Sequence, residues 1–170
     1  MADQPRYEPF EASAFFADGA SARPPVPGTV PRGSLEDPAL TTGRTNEGLV
    51  SRSPVPVTMD LLRRGRERFN IYCAPCHGRI GRGEGMIVQR GFPQPRTFHD
   101  PRLRHVPDGH LFDVITNGLG KMPAYGDLVP APDRWAIVSY VRALQRSQHA
   151  TIQDVAEEER RRLDELPEAQ

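Results

Sequence analysis

The sequence predicts an all-α domain that follows a long extended strap, and three observations support this expectation. Apolar residues recur at helical spacing in three segments after residue 56. Nothing in the chain has the alternating pattern of a convincing strand. Nine of the 18 prolines fall in residues 1–56, and a segment of that composition cannot bury enough surface to fold alone. We therefore divide the chain into a strap (1–56), a helical domain (57–148) and a charged tail (149–170).

The first helix of the domain is predicted from Thr58 to Tyr72. Thr58 can cap its N-terminus with its hydroxyl group. Gly65, Phe69 and Cys73 recur at four-residue spacing and so share one face. That face offers a glycine for close approach, an aromatic ring for packing, and then a thiol.

Two further helices are predicted in the domain. The second has Asp108 as its cap and ends at Asn117-Gly118. The third begins at Asp133, after Pro130 and Pro132. Its broad apolar stripe comprises Trp135, Ile137, Val138, Tyr140, Val141 and Leu144.

Both ends of the chain carry features that suggest contacts beyond the domain. The strap contains four aromatic residues, which are unusual in a solvated tail: Tyr7, Phe10, Phe15 and Phe16. They favour docking on a partner subunit or back onto the domain, with a plain flexible linker as the alternative. In the tail, acidic and basic residues at i,i+4 spacing (157/161 and 158/162) predict a solvated helix or a frayed end. A partner-binding helix is the alternative there.

Charge is unevenly distributed although the net charge is zero. The strap carries a net −2, residues 57–148 a net +6, and residues 149–170 a net −4. A basic middle suggests one face that attracts an acidic partner, while a simply solvated surface is the alternative. Because the arginines are dispersed, we do not expect nucleic-acid binding.

Hydropathy argues against a membrane-spanning segment. No run approaches about 18 uninterrupted apolar residues, so no transmembrane helix is expected. Residues 1–22 also lack the apolar core of a secretory signal.

The most informative motif is Cys73–His77, which reads C-x-x-C-H, the attachment site of a c-type haem. Two thiols at this spacing can add to the two vinyl groups of one porphyrin, and the histidine supplies an axial nitrogen to the iron. A zinc ribbon would need a second cysteine pair, and the chain has only two cysteines. A thioredoxin-like site would follow a buried strand, whereas a helical pattern comes before Cys73.

Haem attachment in bacteria takes place outside the cytoplasm. We therefore expect the sequence to represent a mature or trimmed form, from which a leader or a lipid-anchoring cysteine has been lost.

A second axial ligand on the iron would indicate electron transfer, whereas an open iron would indicate ligand or substrate chemistry. Met122 is the first candidate, because it precedes a proline on a glycine-rich loop, with gap-filling in the core as the alternative. Met86 is the next candidate, and Met59 fits poorly. Bis-histidine ligation by His99, His105, His110 or His149 stays open, although surface positions are expected for these four. A His/Met pair raises the reduction potential relative to bis-His.

A bound haem would require further hydrogen-bond partners from the protein. The free ring N–H of His77 requires an acceptor, for which a carbonyl in residues 93–95, with Pro95 preferred, is a candidate. Candidate donors to the propionates are Arg79, Arg82, Arg96, Tyr125 and Trp135.

Residues 57–148 resemble a class I cytochrome c domain. The resemblance rests on the spacing from Gly65 to Gly78, the later Gly-Lys-Met-Pro at 120–123, and the helix from Asp133 to Leu144. It implies a small all-α bundle around one covalently bound haem c, with the first and last helices crossing near Gly65 and Tyr140. Cys73 and Cys76 then form the thioethers, and His77 and Met122 bind the iron.

Residues 7–33 resemble the N-terminal strap of the monohaem cytochrome c subunit of alternative complex III, a bacterial quinol oxidoreductase. The likeness implies an electron-transfer subunit on the periplasmic face of the inner membrane, not itself a catalyst. It implies electrons received from a multihaem subunit and passed to a soluble cytochrome or a terminal oxidase. The alternatives are a free-standing periplasmic cytochrome c and a haem enzyme or sensor with an open distal site.

Overall fold

A computed structural model describes residues 4–8, 10–29 and 37–164 of the chain, which divides into two compact units, Met1–Glu36 and Asp37–Gln170. The helices of the larger unit are α1 (Pro38–Thr42), α2 (Met59–Tyr72), α3 (Ala74–His77), α4 (Met86–Gln89), α5 (Pro101–His105), α6 (Asp108–Asn117), α7 (Ala131–Ser147) and α8 (Glu157–Asp164). Its antiparallel strands are β1 (Arg44–Thr45) and β2 (Gly48–Leu49). The expectation of a mostly helical fold is confirmed. The expectation of no strand is wrong for this hairpin, whose two-residue strands are too short to show an alternating pattern.

Residues 37–56 pack into the helical unit rather than continuing an extended strap. The Asp37 side chain caps α1 through the N–H of Ala39 at 2.9 Å. The indole N–H of Trp135 donates to the carbonyl of Leu40 at 2.8 Å. The compact unit therefore begins at residue 37, twenty residues before the expected boundary. Short elements of this kind take their stability from such tertiary contacts and not from periodicity.

The three main helices form where the sequence pattern places them. Thr58 caps α2, accepting from the N–H of Leu61 at 3.1 Å. Helix α6 begins at Asp108, the residue expected as its cap. Helix α7 begins two residues before the expected Asp133, because Pro132 is compatible with the first turn of a helix.

Helices α2 and α7 cross in direct backbone contact. A Cβ atom added to Gly65 would lie 2.0 Å from the carbonyl oxygen of Ala136 and 2.9 Å from Cβ of Tyr140. The crossing near Gly65 and Tyr140 implied by the family resemblance is therefore confirmed. One turn along α2, Phe69 is fully buried, with its ring centroid 5.4 Å from that of Tyr140.

Charged groups join the helices around this crossing. Arg64 of α2 makes a bidentate ion pair with Asp133 of α7, at 2.8 and 2.9 Å. Deeper in the fold, Nε of Arg142 of α7 lies 2.7 Å from Asp108, the first residue of α6. The main core packs between these helices, where the Phe112 and Trp135 rings stack at 4.4 Å.

The described part of the N-terminal unit contains a closed loop. An isolated antiparallel bridge joins Ala12 to Ala20. Arg23 pairs with both oxygens of Asp18, at 2.7 and 2.8 Å, and its guanidinium lies 4.1 Å from the centre of the Phe16 ring. Residues 12–23 are thus folded back on themselves instead of extended.

The C-terminal tail contains a 3₁₀ turn (Ile152–Asp154) followed by α8. The ion pairs expected at i,i+4 are present, Arg161 with Glu157 at 2.6 Å and Arg162 with Glu158 at 3.2 Å. Within the residues that the structure describes, no helix has the length and apolar character needed to cross a membrane.

Substituting Gly65→Ala should lower the free energy of unfolding by about 2 kcal/mol or more, because the added methyl group meets backbone of α7 that cannot move aside. This loss exceeds the gain in helix propensity of about 1 kcal/mol from replacing glycine. Urea unfolding of the haem-containing protein measures the change. The exposed neighbour Arg66 is the control, and Arg66→Ala should change stability by less than about 0.5 kcal/mol. Equal stability of wild type and Gly65→Ala would contradict the backbone contact.

Candidate haem site

The C-x-x-C-H motif forms a single helical turn directly after α2. The N–H groups of Cys76 and His77 both donate to the carbonyl of Cys73, at 3.2 and 2.9 Å. Residues three and four apart on a helical turn lie on one side of it. The two thiols, which are free, and the imidazole are therefore presented together. Pro75 lies in the first turn of α3, where its missing N–H is not needed.

A glycine-rich loop closes over the backbone of this turn. The N–H of Gly83 donates to the carbonyl of His77 at 2.8 Å, and that of Gly85 donates to Cys76 at 3.1 Å. A Cβ atom at Gly85 would lie 2.2 Å from the carbonyl oxygen of Pro75, and one at Gly83 would lie 2.3 Å from that of Pro95. Only residues without side chains allow this approach, so the loop fixes the motif from the outside.

The imidazole of His77 is held in an apolar setting. It stacks on the ring of Phe98 with a centroid distance of 4.5 Å and an angle of 17°. Burial lowers the pKa of His77 to about 4, so the ring is neutral at pH 7, which is the form that binds a metal. Its Nδ1 atom is buried and has no hydrogen-bond partner within the described chain. The expected acceptor, Pro95, lies next to Gly83 but does not bond this atom.

The first thiol of the motif is strongly shielded from water. Burial, and then the nearby Cys76, raise the pKa of Cys73 to about 12. Cys73 therefore stays protonated at neutral pH and does not behave as a reactive surface thiolate.

The loop that carries Met122 is anchored on both sides. Met122 and Leu119 exchange backbone hydrogen bonds at 3.0 and 3.1 Å. Gly118 has a φ of 76°, and a side chain there would lie 2.5 Å from the carbonyl oxygen of Met122. The N–H of Tyr125 donates to Ile115 of α6 at 2.9 Å, which fastens the far end.

The three candidate methionines differ in how far their side chains are buried. Met122 is partly buried and packs against the main core cluster, as Cys73 and Tyr125 also do. Met59 and Met86 are 62% and 53% exposed. Of these three, Met122 alone combines burial with a fixed backbone.

Three of the four histidines outside the motif have a ring nitrogen bonded to a backbone carbonyl. His99, His105 and His149 each place a ring nitrogen against a backbone carbonyl, those of Ile80, Pro101 and Gln145, at 2.7, 2.6 and 3.0 Å. His110 is partly buried on α6. One ring nitrogen of His99, His105 and His149 is thereby occupied.

The candidate donors to the propionates are placed very differently. Burial, and then the thiols of Cys73 and Cys76, raise the pKa of Tyr125, which puts its phenol beside the motif. Trp135 is buried, but its single N–H is already donated to Leu40, so the structure does not support it as a haem contact. Arg96 is 68% exposed and lies 3.4 Å from Asp100. Arg79 and Arg82 are also exposed.

Two aromatic residues of the site were not found from the sequence. Phe98 stacks on His77, and its ring also lies 6.0 Å from that of Phe69. Tyr72 meets Tyr125 edge-on at 6.4 Å, which joins the motif to the Met122 loop. An aromatic residue in a loop rich in glycine, proline and arginine is the only signal that the sequence offers for Phe98.

The residues fit a covalently bound haem. Two free thiols one turn apart can form its thioethers, and a neutral imidazole with an unpartnered buried nitrogen can serve as an axial ligand. Met122 can supply a sulfur from a rigid loop, and the aromatic rings of Tyr72, Tyr125 and Phe98 provide an apolar surround.

A comparison with protein families agrees with this fit. Residues 60–141 match the family model described as "Cytochrome C oxidase, cbb3-type, subunit III". One solved structure with a similar chain is the reducing HAO-like protein complex Kustc0457/Kustc0458 of Kuenenia stuttgartiensis. That chain is 25% identical at a TM-score of 0.46, and the match covers 54% of this chain and 46% of that chain. No curated protein matches the sequence.

The helical fold, the site and the family match together support a monohaem class I cytochrome c. More particularly, residues 60–141 are similar to the cytochrome c domain of the cbb3-type family, and such a domain implies electron transfer by a haem c.

The Gly85→Ala substitution tests the loop that closes over the motif. The φ of Gly85 is −67°, which alanine adopts without strain, so the effect should be steric alone. We expect the haem-containing protein to lose about 1–3 kcal/mol of unfolding free energy, because the methyl group meets the carbonyl of Pro75. The exposed neighbour Glu84 is the control, and Glu84→Ala should cost less than about 0.5 kcal/mol in the same unfolding experiment. Equal losses from both substitutions would contradict a specific contact at Gly85.

Proposed function

We propose that this chain is the electron-transfer subunit of a respiratory quinol-oxidising membrane complex of the alternative complex III type, with one haem c attached through Cys73 and Cys76. It takes electrons from a multihaem partner subunit and passes them to a periplasmic cytochrome or a terminal oxidase. It lies at the periplasmic face of the inner membrane, and it is not a catalyst by itself. The observation that carries the proposal is the single turn that presents two thiols and a neutral imidazole on one side.

A haem bound here supplies an iron that gains and loses one electron. The protein's own part is to hold that group rigidly and dry. His77 presents a nitrogen from a ring fixed by stacking on Phe98, and Met122 presents a sulfur from a loop tied to α6. If His77 and Met122 both bound the iron, no position would be left for a substrate or a gas, and such a haem would serve electron transfer.

Aromatic rings around the motif shield it partly from water. Tyr72 and Tyr125 meet edge-on beside the thiols, and Phe69 is fully buried beneath them on α2. A dry, apolar environment of this kind raises the reduction potential of the group it surrounds, since the extra charge of the oxidised state is poorly solvated. The predicted His/Met pair acts in the same direction, which suits an acceptor late in a respiratory chain.

The N-terminal unit supports membership of a larger assembly. Tyr7, Phe10 and Phe15 are 56, 91 and 82% exposed. Phe10 has a φ of 65°, which is unusual for a residue other than glycine, and its ring points to solvent. Large exposed aromatic side chains are typical anchors at protein interfaces. A free-standing periplasmic cytochrome c, the alternative, has no use for them.

A third class of function, a haem enzyme or sensor with an open distal site, depends on Met122 not binding iron. It predicts that the reduced wild-type protein binds carbon monoxide readily. A closed His/Met site predicts that it does not.

The Met122→Ala substitution should abolish the absorption band near the red edge of the visible spectrum that marks sulfur–iron ligation in the oxidised protein. It should also lower the reduction potential and open the iron to carbon monoxide. Visible spectroscopy and potentiometric titration of the purified protein measure these changes.

Met86→Ala and Met59→Ala are matched controls, because both remove an exposed methionine from the same domain. Both variants should keep the band and the potential of wild type. A band that survives Met122→Ala and disappears with Met86→Ala would transfer the ligand role to Met86. The absence of any such band from wild type would contradict sulfur ligation altogether.

Deletion of residues 1–36 tests the partner assignment and follows the boundary between the two compact units. The shortened chain, expressed in its bacterial host, should keep the spectrum of wild type but lose its co-purification with a multihaem cytochrome from membranes. A shorter change, Phe10→Ala with Phe15→Ala, should weaken co-purification in the same direction because it removes two exposed rings.

Ile152→Ala serves as the control for this experiment, since it removes an exposed apolar side chain near the other end of the chain. Its co-purification should equal that of wild type. If the chain without residues 1–36 still co-purifies fully, those residues do not anchor the subunit. If wild type does not co-purify at all, a free-standing cytochrome is favoured.

A further inference from the structure

A cleft of about 670 Å³ lies where the end of α5 and the start of α6 meet the last turns of α7 and residues 51–52. Its charged lining consists of Arg52, Arg104, Asp108, Arg142 and Arg146, with two histidines, His105 and His149. None of these residues belongs to the candidate haem site. Four guanidinium groups and one carboxylate give the cleft a strongly positive character.

The carboxylate does not offset the remaining cations. One oxygen of Asp108 lies 2.7 Å from Nε of Arg142, and the other accepts from the N–H of Ser53 at 2.8 Å. Both oxygens are therefore engaged, in a group that is itself only 14% exposed.

The guanidinium of Arg142 is likewise fully engaged in hydrogen bonds within the protein. Its guanidinium donates to the carbonyls of Leu103 and Arg104, both at 3.2 Å, and to that of Val106. It also donates to the side-chain oxygen of Gln145 at 2.8 Å. Arg142 thus ties α7 to the end of α5 and is not available to a ligand.

Arg52 and Arg104 are the cations left without a counter-charge. Arg104 is partly buried, and its Nε atom is buried with no hydrogen-bond partner in the described chain. Arg52 is exposed, and no ion pair engages it in the ranges that the structure covers. Arg146 differs, since it pairs with Asp154 of the tail. A partly desolvated guanidinium without a counter-charge is costly, so an anion from solution would stabilise this cleft.

We propose that this cleft binds a multivalent phosphate-bearing anion, with Arg52 and Arg104 as its principal contacts. Guanidinium groups form paired hydrogen bonds with phosphate oxygens, and their planar donor array suits such a ligand. The volume exceeds what a single small ion needs and lies in the range of ordinary ligand sites. Concave walls also concentrate the positive potential of Arg52 and Arg104 on whatever enters. The phosphate groups come either from a soluble polyphosphate or from an anionic lipid headgroup.

Isothermal titration of the full-length, haem-containing protein with pyrophosphate at low ionic strength tests the proposal. We expect a single site with a dissociation constant below about 1 mM. Pyrophosphate should also raise the melting temperature, because it binds only the folded state. Arg52→Gln and Arg104→Gln should each weaken binding at least about fivefold, because each removes a charge-assisted contact. The visible spectrum of both variants should stay that of wild type.

Arg63→Gln is the matched control, because it removes the same charge from an exposed arginine of α2 that pairs with Asp60. Its affinity for pyrophosphate should stay within about twofold of wild type. An equal loss in all three variants would show non-specific attraction and overturn the proposal, as would the absence of both heat and thermal shift in wild type.

Vesicles distinguish the two sources of phosphate. Vesicles of phosphatidylglycerol that displace pyrophosphate, where phosphatidylcholine vesicles do not, indicate a lipid headgroup as the ligand. If neither kind of vesicle competes, the ligand is a soluble polyphosphate. A third result is that vesicles bind Arg104→Gln as well as wild type, and that excess pyrophosphate does not reduce this binding. This result would place the lipid contacts elsewhere and contradict a role for the cleft.

Discussion

The contact between α2 and α7 at Gly65 is the constraint on which the rest of the structure depends. Here two helix backbones touch, and no side chain separates them. Because α2 is held at this point, Phe69 is driven into the core one turn later, and Cys73 emerges another turn on. The haem-binding turn therefore starts from a fixed position in the fold, although the motif itself is only five residues long. A bulkier residue at the crossing would move both helices and everything that follows α2.

The site is assembled mainly from backbone contacts. Glycines at 83 and 85 let the following loop lie directly on the motif, and Gly118 does the same for the loop of Met122. Within this frame, His77 keeps a buried nitrogen without a partner in the described chain, and Cys73 is a partly buried thiol whose pKa is raised. The imidazole is held neutral in this apolar setting, which is the form that binds a metal.

The two halves of α7 have separate roles. Its first half packs on α1 and α2 through Trp135 and the crossing, and it sets the geometry of the candidate haem site. Its second half uses Arg142 and Gln145 to bind carbonyls of α5 and of the segment before it, and it forms one wall of the basic cleft. The candidate haem site and the proposed anion site thus both depend on α7 without sharing a residue.

The sequence by itself determined what depends on local spacing. The C-x-x-C-H motif, the Thr58 cap, the bounds of α2 and the pairs of the tail helix all follow from residues within one or two turns of each other. The close crossing at Gly65 was reached through the resemblance of a longer pattern to a known family, and the structure confirms it.

Only the tertiary structure decided which distant residues meet. It packed residues 37–56 against α6 and α7, placed Phe98 on His77, and directed the indole of Trp135 to Leu40 rather than toward the haem site. It also separated Met122 from Met86 and Met59 by burial. These outcomes depend on packing between segments far apart in the chain, and the free energy of such contacts leaves no periodic trace in the sequence.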